Sequence, residues 1–80
     1  MNNMEKYTQV FVEMFGKSAD EVKNLHYQDI IEWDSVGHMT LMSTLEDTFD
    51  IMMETDDIID FDSYEKGIEI LKKYNVDFES

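Results

Sequence analysis

Apolar side chains recur at helical spacing near the start of the chain. From Met4 to Phe15 they fall at positions 4, 7, 10, 11, 14 and 15, and charged or amide side chains fill most of the positions between them. Gly16 follows, and glycine is the residue that most often ends a helix in a left-handed conformation. The pattern predicts a first amphipathic helix over Met4–Phe15.

A second helical pattern follows a long polar stretch. Between Lys17 and Asp34 the apolar residues are isolated, so we expect a long loop with one short helical turn starting near Ser18. From Ser35 to Phe49 the helical spacing returns, and Asp34 or Ser35 can cap the first turn. The predicted inward face of this helix consists of Val36, Met39, Met42, Leu45 and Phe49, with Leu41 at its edge.

The last third of the chain predicts two further helices. Asp56–Phe61 suits a short helix, because its two leading carboxylates favour the positive end of a helix dipole. Ser63 can cap a final helix in which Tyr64, Ile68 and Leu71 recur at helical intervals. The sequence has no β-type alternation, no internal repeat and no proline. We therefore predict one all-α domain over residues 1–80, a small four-helix bundle with three main helices, one short helix and a long loop after the first.

The composition is that of an acidic protein that can fold. The chain has 80 residues, of which 42% are hydrophobic, and its formal net charge is −13. Such a charge repels nucleic acids and anionic membranes and favours partners with basic patches. The chain has no cysteine, no signal-peptide pattern and no apolar run of membrane-spanning length. We expect a cytoplasmic monomer that neither binds nucleic acid nor inserts into a membrane.

An Asp-Ser pair marks the point where the predicted loop becomes the second helix. Ser35 would present a hydroxyl at the positive end of that helix, where a phosphate ester would lie near unpaired backbone N–H groups. The commoner role of such a pair is to cap the helix and nothing more. The pair alone therefore leaves both interpretations open.

The surrounding residues resemble the acyl carrier and peptidyl carrier protein family. The resemblance rests on Asp-Ser-Val-Gly-His-Met from Asp34 to Met39, on the helix ending Leu-Glu-Asp-Thr-Phe-Asp, and on the order of helices along almost the whole chain. It implies that Ser35 receives 4′-phosphopantetheine from coenzyme A, with Asp34 as its motif neighbour. It also implies that the chain is no enzyme, carrying acyl or aminoacyl groups as thioesters on that arm.

The same resemblance implies a set of partners. They are a phosphopantetheinyl transferase, an acyl or aminoacyl ligase, and acyl-transferring enzymes with basic docking patches. The positions that match the family's docking surface are Val36 and Met39 beside the arm, and Glu46, Asp47, Asp50 and Glu54 farther along. Fatty-acid-synthesis carriers typically have Gly-Ala-Asp-Ser-Leu-Asp, whereas Glu-Trp precedes and Val-Gly-His follows the pair here. We therefore expect a specialised biosynthetic pathway, not housekeeping fatty-acid synthesis.

Other conspicuous residues have simpler interpretations. No carboxylate or nucleophile completes a catalytic set around His38, which we expect to face a partner or the phosphate. Trp33 should anchor the loop against the bundle. The acidic stretch 56–62 lacks the ligand spacing of a calcium loop, and we expect no metal site. The methionines most expected in an adaptable core are Met39, Met42, Met52 and Met53.

The main alternative function is that of an acidic helical adaptor. Such a protein would bind a basic partner and carry no prosthetic group. In it Ser35 would serve only as a helix cap, so replacing Ser35 with alanine would leave partner binding intact.

Overall fold

A computed structural model describes residues 2–78 as five α-helices joined by loops. The helices are α1 (Asn3–Phe15), α2 (Ala19–Val22), α3 (Ser35–Phe49), α4 (Thr55–Asp60) and α5 (Tyr64–Lys72). Within these residues the β-type pairing is limited to one isolated antiparallel bridge between His26 and Ser63. The predicted small all-α bundle is confirmed. The additional helix α2 is the single turn expected near Ser18, and α1 and α4 each begin one residue earlier than predicted.

The ends of α1 have local causes in the sequence. The Asn2 side chain accepts the N–H of Glu5 at 2.8 Å, which satisfies one of the unpaired donors of the first turn. At the other end Gly16 adopts a left-handed conformation with φ 64° and donates its N–H to the carbonyl of Val12. This ending is the one that the glycine predicted.

Aromatic rings make up much of the core. Tyr7, Phe11 and Phe15 of α1 are buried together with Trp33, Phe61 and Tyr64. The ring centroid of Phe11 lies 5.7 Å from that of Trp33 and 5.2 Å from that of Tyr64, in edge-to-face arrangements. Trp33 is fully buried, so its predicted role as an anchor of the long loop is confirmed.

The phenol of Tyr7 is the main polar group inside this core. Its hydroxyl donates to the carbonyl of Tyr64 at 2.6 Å, so the buried donor is satisfied. Burial raises the pKa of Tyr7 well above its ordinary value, with the nearby Tyr64 adding to the effect. Tyr7 therefore joins α1 to the start of α5 as a neutral group.

Helix α3 turns a different face to the core than the apolar spacing predicted. Leu41, Met42 and Leu45 are buried, whereas Val36 is 75% exposed and Met39 is 53% exposed. The assignment of Val36 and Met39 to the inward face is therefore wrong. The position one turn before Leu41 and Met42 on the inward side is occupied by a polar residue, His38, which the apolar pattern passed over.

The methionines divide between the core and the surface. Met42 and Met53 are buried as expected, but Met52 is 84% exposed and lies in the link between α3 and α4. The expectation of a core position is thus wrong for Met39 and Met52. Among the helices of residues 2–78, none combines the length and the apolar character needed to cross a membrane.

Polar contacts, more than buried side chains, hold α4 in place, since none of its residues is fully buried. The Asp57 carboxylate contacts both the ammonium of Lys73 and the hydroxyl of Tyr74, just after α5. The hydrogen bonds from Lys73 and Tyr74 lower the pKa of Asp57, and the same contacts raise the pKa values of Lys73 and Tyr74. The hydroxyl of Tyr74 also accepts the N–H of Glu54 at 2.9 Å.

Candidate functional site

Ser35 is the first residue of α3, and its hydroxyl is not used to cap the helix. Of the two candidate caps, the structure selects Asp34, whose carboxylate accepts the N–H of Gly37 at 2.8 Å. The Asp34 carbonyl accepts the N–H of His38 at 2.7 Å and completes the first turn. Ser35 is exposed, so its Oγ is accessible to another molecule without loss of the cap.

An open groove adjoins the Ser35 hydroxyl. Its volume is about 300 Å³, and it lies between the long loop, the first turn of α3 and the end of α4. We call it the Ser35 groove. The phenol of Tyr27, at its edge, lies 3.0 Å from Ser35 Oγ and can donate to it or accept from it. The lining residues are Tyr27, Ser35, His38, Met39, Ile58, Ile59, Phe61 and Asp62.

The electrostatic setting of Ser35 depends on the helix end. The sequence from residue 24 to residue 65 contains no Lys or Arg, and Lys23 and Lys66 flank this stretch. A phosphate ester on Ser35 would lie at the first N–H groups and the positive end of the dipole of α3, which is 15 residues long. An exposed Oγ at such a helix end fits the attachment of a phosphate-linked arm.

His38 faces inward, so the expectation that it faces a partner is wrong. The Trp33 indole N–H donates to His38 Nδ1 at 3.0 Å, and His38 Nε2 lies 2.8 Å from the carbonyl oxygen of Ile58. The neutral ring with its proton on Nε2 satisfies both bonds, because Nδ1 then accepts and Nε2 donates. The two rings are stacked with centroids 6.2 Å apart. We call Trp33, His38 and the Ile58 carbonyl the His38 clasp; it joins the long loop, α3 and α4.

Gly37 allows the loop to approach the first turn of α3 closely. A Cβ atom added at this position would lie 2.0 Å from the carbonyl oxygen of Glu32, far inside any allowed contact. This contact explains why glycine stands where the fatty-acid-synthesis carriers have an acidic residue. Trp33 and Gly37, which depart from the usual motif, and His38, which follows it, all take part in the docking of the long loop on α3.

Exposed apolar side chains occur on each of the elements that meet at Ser35, which are α3, α4 and the long loop. Val36 and Met39 flank it on α3, while Ile59 of α4 is 71% exposed and Ile31 of the loop is 90% exposed. Met39 lines the Ser35 groove together with the hydroxyl, and Val36 follows Ser35 in the first turn of α3. Tyr27, Ile58 and Ile59 were not predicted at this site, because the fold and not the sequence spacing brings the loop and α4 next to α3.

The four acidic positions of the expected docking surface differ in environment. Asp47, Asp50 and Glu54 are exposed, and Asp47 lies about 18 Å from Ser35 along the axis of α3. Glu46 is half-buried, and its carboxylate accepts the N–H of Met53 at 2.8 Å. We call the exposed carboxylates the acidic patch: Asp47 and Asp50 lie at the far end of α3, and Glu54 lies directly before α4. Glu46, in contrast, has a contact within the protein.

Threonine side chains separate this acidic patch from the apolar surface around Ser35. The hydroxyl of Thr44 donates to the carbonyl of Thr40 at 2.8 Å, and that of Thr48 donates to the carbonyl of Thr44 at 2.7 Å. These hydroxyl groups satisfy their donors within the helix. The exposed side of α3 thus has an apolar end at Ser35, a neutral middle and an acidic end.

The chain is similar in sequence to several bacterial acyl carrier proteins. It is 40% identical over 53 residues to the acyl carrier protein of Streptococcus thermophilus (strain CNRZ 1066), an alignment that covers 66% of this chain and 72% of that protein. It is 36% identical over 53 residues, with the same coverage of both chains, to the acyl carrier proteins of Streptococcus pyogenes serotypes M3 and M1. No family model matches the chain, and no solved structure matches it. The identity and coverage of these relatives show that the chain belongs to the acyl carrier protein family.

Proposed function

We propose that this protein carries acyl groups as thioesters on a 4′-phosphopantetheine arm attached to Ser35 Oγ. The observation that supports this most strongly is the position of Ser35, whose exposed hydroxyl is left available because Asp34 caps α3. The hydroxyl lies at the positive end of a long helix and beside an apolar groove. In a member of the acyl carrier protein family, this combination suits an attachment point.

The attachment is a phosphoryl transfer from coenzyme A. Ser35 Oγ forms a bond to the phosphorus next to pantetheine, the pyrophosphate bond breaks, and adenosine 3′,5′-bisphosphate leaves. A base of the phosphopantetheinyl transferase takes the hydroxyl proton, since the chain has no carboxylate hydrogen-bonded to Oγ within residues 2–78. The neighbour that contacts Oγ there is the phenol of Tyr27, which can orient the hydroxyl.

The arm supplies chemistry that the polypeptide lacks. The chain has no cysteine, so a thioester on this protein requires a thiol from elsewhere. Phosphopantetheine ends in such a thiol, and a thioester keeps the acyl carbonyl reactive for transfer. The protein then acts as the carrier, and the enzymes that load and unload the arm perform the catalysis.

Those enzymes would dock on the exposed side of α3. Val36 and Met39 offer an apolar contact next to the arm, and Asp47, Asp50 and Glu54 offer a negative patch for basic side chains. Charges of this kind accelerate encounter and fix orientation more than they hold the complex together. A carrier that visits several enzymes in turn needs fast binding and fast release.

The pathway is better assigned to specialised biosynthesis than to housekeeping fatty-acid synthesis. The support comes from Trp33 and Gly37, which replace the usual residues around the Asp-Ser pair, and from His38, which follows them. Together these residues build the contacts between the loop, α3 and α4. A ligase dedicated to one acyl or aminoacyl group would load such a carrier.

Labelling with a fluorescent coenzyme A analogue and a broad-specificity phosphopantetheinyl transferase tests the attachment site. The wild-type protein and Ser43→Ala, which removes another exposed serine of α3, should be labelled equally. Ser35→Ala should remain unlabelled. Tandem mass spectrometry should locate the label on the peptide that contains Ser35. Labelling of Ser35→Ala at the wild-type level would place the arm on another residue, whereas a folded wild-type protein that takes no label would favour the adaptor function.

A further inference from the structure

The Ser35 groove ends at a closed inner wall. His38 and Phe61 form this wall, with ring centroids 6.1 Å apart in an edge-to-face contact. Phe61 is 1% exposed, and both ring nitrogens of His38 are engaged in the His38 clasp. The clasp ties α4 to α3 at the point where an alkyl chain would have to pass between them.

The region behind this wall is filled with aromatic rings. Trp33 stacks on His38 on the inner side, and Phe11 lies edge-to-face with Trp33 at 5.7 Å and stacked with Phe61 at 6.5 Å. Flat rings packed at these distances leave little freedom to rearrange around a flexible chain. An alkyl chain could enter the core only by displacing rings and breaking the hydrogen bonds of the clasp.

The groove itself is small. Its volume of about 300 Å³ lies at the lower end of the range for small-molecule pockets, which is about 300–1,000 Å³. The end of the arm has to share this space with the acyl group. The remaining room suits an acyl group of only a few carbons.

We propose that His38 limits the length of the acyl group that this carrier can shelter. The cargo is a short acyl group whose carbons lie in the Ser35 groove, between Met39 and Ile59 on the outer side and His38 on the inner side. Carbons beyond the first few stay in solvent. This inference rests on the proposed carrier function and names the class of its cargo.

When an acyl chain is buried, the protection of its thioester depends strongly on the length of that chain. Each methylene group transferred from water into an apolar interior shifts the equilibrium toward the buried state about fourfold. A carrier that buried long chains would therefore protect a dodecanoyl thioester far better than a butyryl thioester. A carrier with a closed groove would protect both to the same degree.

The test uses the full-length protein loaded by a transferase with acetyl-, butyryl-, octanoyl- or dodecanoyl-coenzyme A. The measured quantity is the rate of thioester cleavage by hydroxylamine, divided by the rate for the matching acyl-coenzyme A. We expect this ratio to be constant within about twofold from butyryl to dodecanoyl, less than the effect of one buried methylene. Trp33 emission, the signal of the single tryptophan, should also be the same for all loaded forms.

The His38→Ala variant should change this profile. Opening the inner wall should make cleavage of the octanoyl and dodecanoyl thioesters at least about fourfold slower than that of the butyryl thioester, the effect of burying one methylene. His26→Ala is the matched control and should keep the wild-type profile, because the exposed His26 side chain does not line the Ser35 groove.

Three outcomes would contradict the proposal in distinguishable ways. If protection by the wild-type protein rises steadily with chain length, the length limit is wrong, and this result stands even if His38→Ala does not fold. If the folded His38→Ala variant shows no length dependence, His38 is not the residue that closes the groove. If no thioester can be loaded, the carrier function itself fails, and the length limit fails with it.

Discussion

Replacing His38 with alanine should destabilise the fold far more than its half-buried position suggests. The change removes the acceptor of the Trp33 indole N–H and the donor to the Ile58 carbonyl, at 3.0 and 2.8 Å. Because Trp33 is fully buried, its N–H loses its acceptor inside the core and incurs a desolvation penalty. The Ile58 carbonyl belongs to a half-buried residue and can recover part of its bond from solvent.

The free energy of unfolding should fall by about 2–3 kcal/mol, of which the unsatisfied buried donor accounts for about 1–3 kcal/mol. A domain of this size has a free energy of unfolding of roughly 4–12 kcal/mol, so this loss is a large fraction of the total. At about 4–8 °C for each kcal/mol, the midpoint of thermal unfolding should fall by about 10–20 °C. The fluorescence of Trp33 reports on the site directly.

Thermal unfolding followed by near-ultraviolet circular dichroism and Trp33 fluorescence is the assay. His26→Ala is the matched control, because the His26 side chain is 66% exposed and its ion-pair partner among residues 2–78 is Asp29, three residues away, at 3.3 Å. Removing such a surface group should change stability by no more than about 0.5 kcal/mol. Equal effects of the two substitutions would refute the role assigned to the His38 clasp.

Three further substitutions test other parts of the structure. Gly37→Ala should lower the urea midpoint by an amount equivalent to about 1–3 kcal/mol, although alanine favours helices, because the added Cβ meets the Glu32 carbonyl at 2.0 Å. Asp34→Ala should cost about 1 kcal/mol through loss of the cap, whereas Ser35→Ala should stay within about 0.5 kcal/mol of the wild type in the same urea titration. Asp57 should contribute to stability above about pH 4 and lose this contribution as the pH falls, because contacts with Lys73 and Tyr74 hold its folded pKa below the ordinary value of 3.8. Asp57→Asn should therefore show a shallower acid loss of unfolding free energy than the wild type in urea titrations between about pH 5 and pH 2, and Asp56→Asn, an exposed neighbour, should not.

The helices could be predicted because their causes are local. The apolar spacing of α1, Gly16 at its end, and the Asp-Ser pair at the start of α3 are each readable from a few adjacent residues. Helix α2 was foreseen as a single turn from Ser18, which forms a capping box with Glu21. The position of Ser35 at the start of α3 follows from the same local signals.

The surroundings of Ser35 could not be predicted, since they depend on contacts between distant segments. His38 was expected to face a partner or the phosphate, yet its ring bonds to Trp33 and to a carbonyl 20 residues away. Because His38 occupies the inward side of α3, Val36 and Met39 lie on its outward side. The spacing of the apolar residues alone did not predict this orientation. A histidine three residues before Leu41 was the available signal.

The central claim is that Ser35 bears the phosphopantetheine arm, and the intact mass of the protein tests it most directly. After incubation with coenzyme A and a phosphopantetheinyl transferase, the wild-type protein should gain the mass of one phosphopantetheine and one titratable thiol, where the polypeptide has none. Ser35→Ala, folded to the same extent, should gain neither. A wild-type protein that stays unmodified with several transferases, or a Ser35→Ala variant that gains the same mass, would contradict the account.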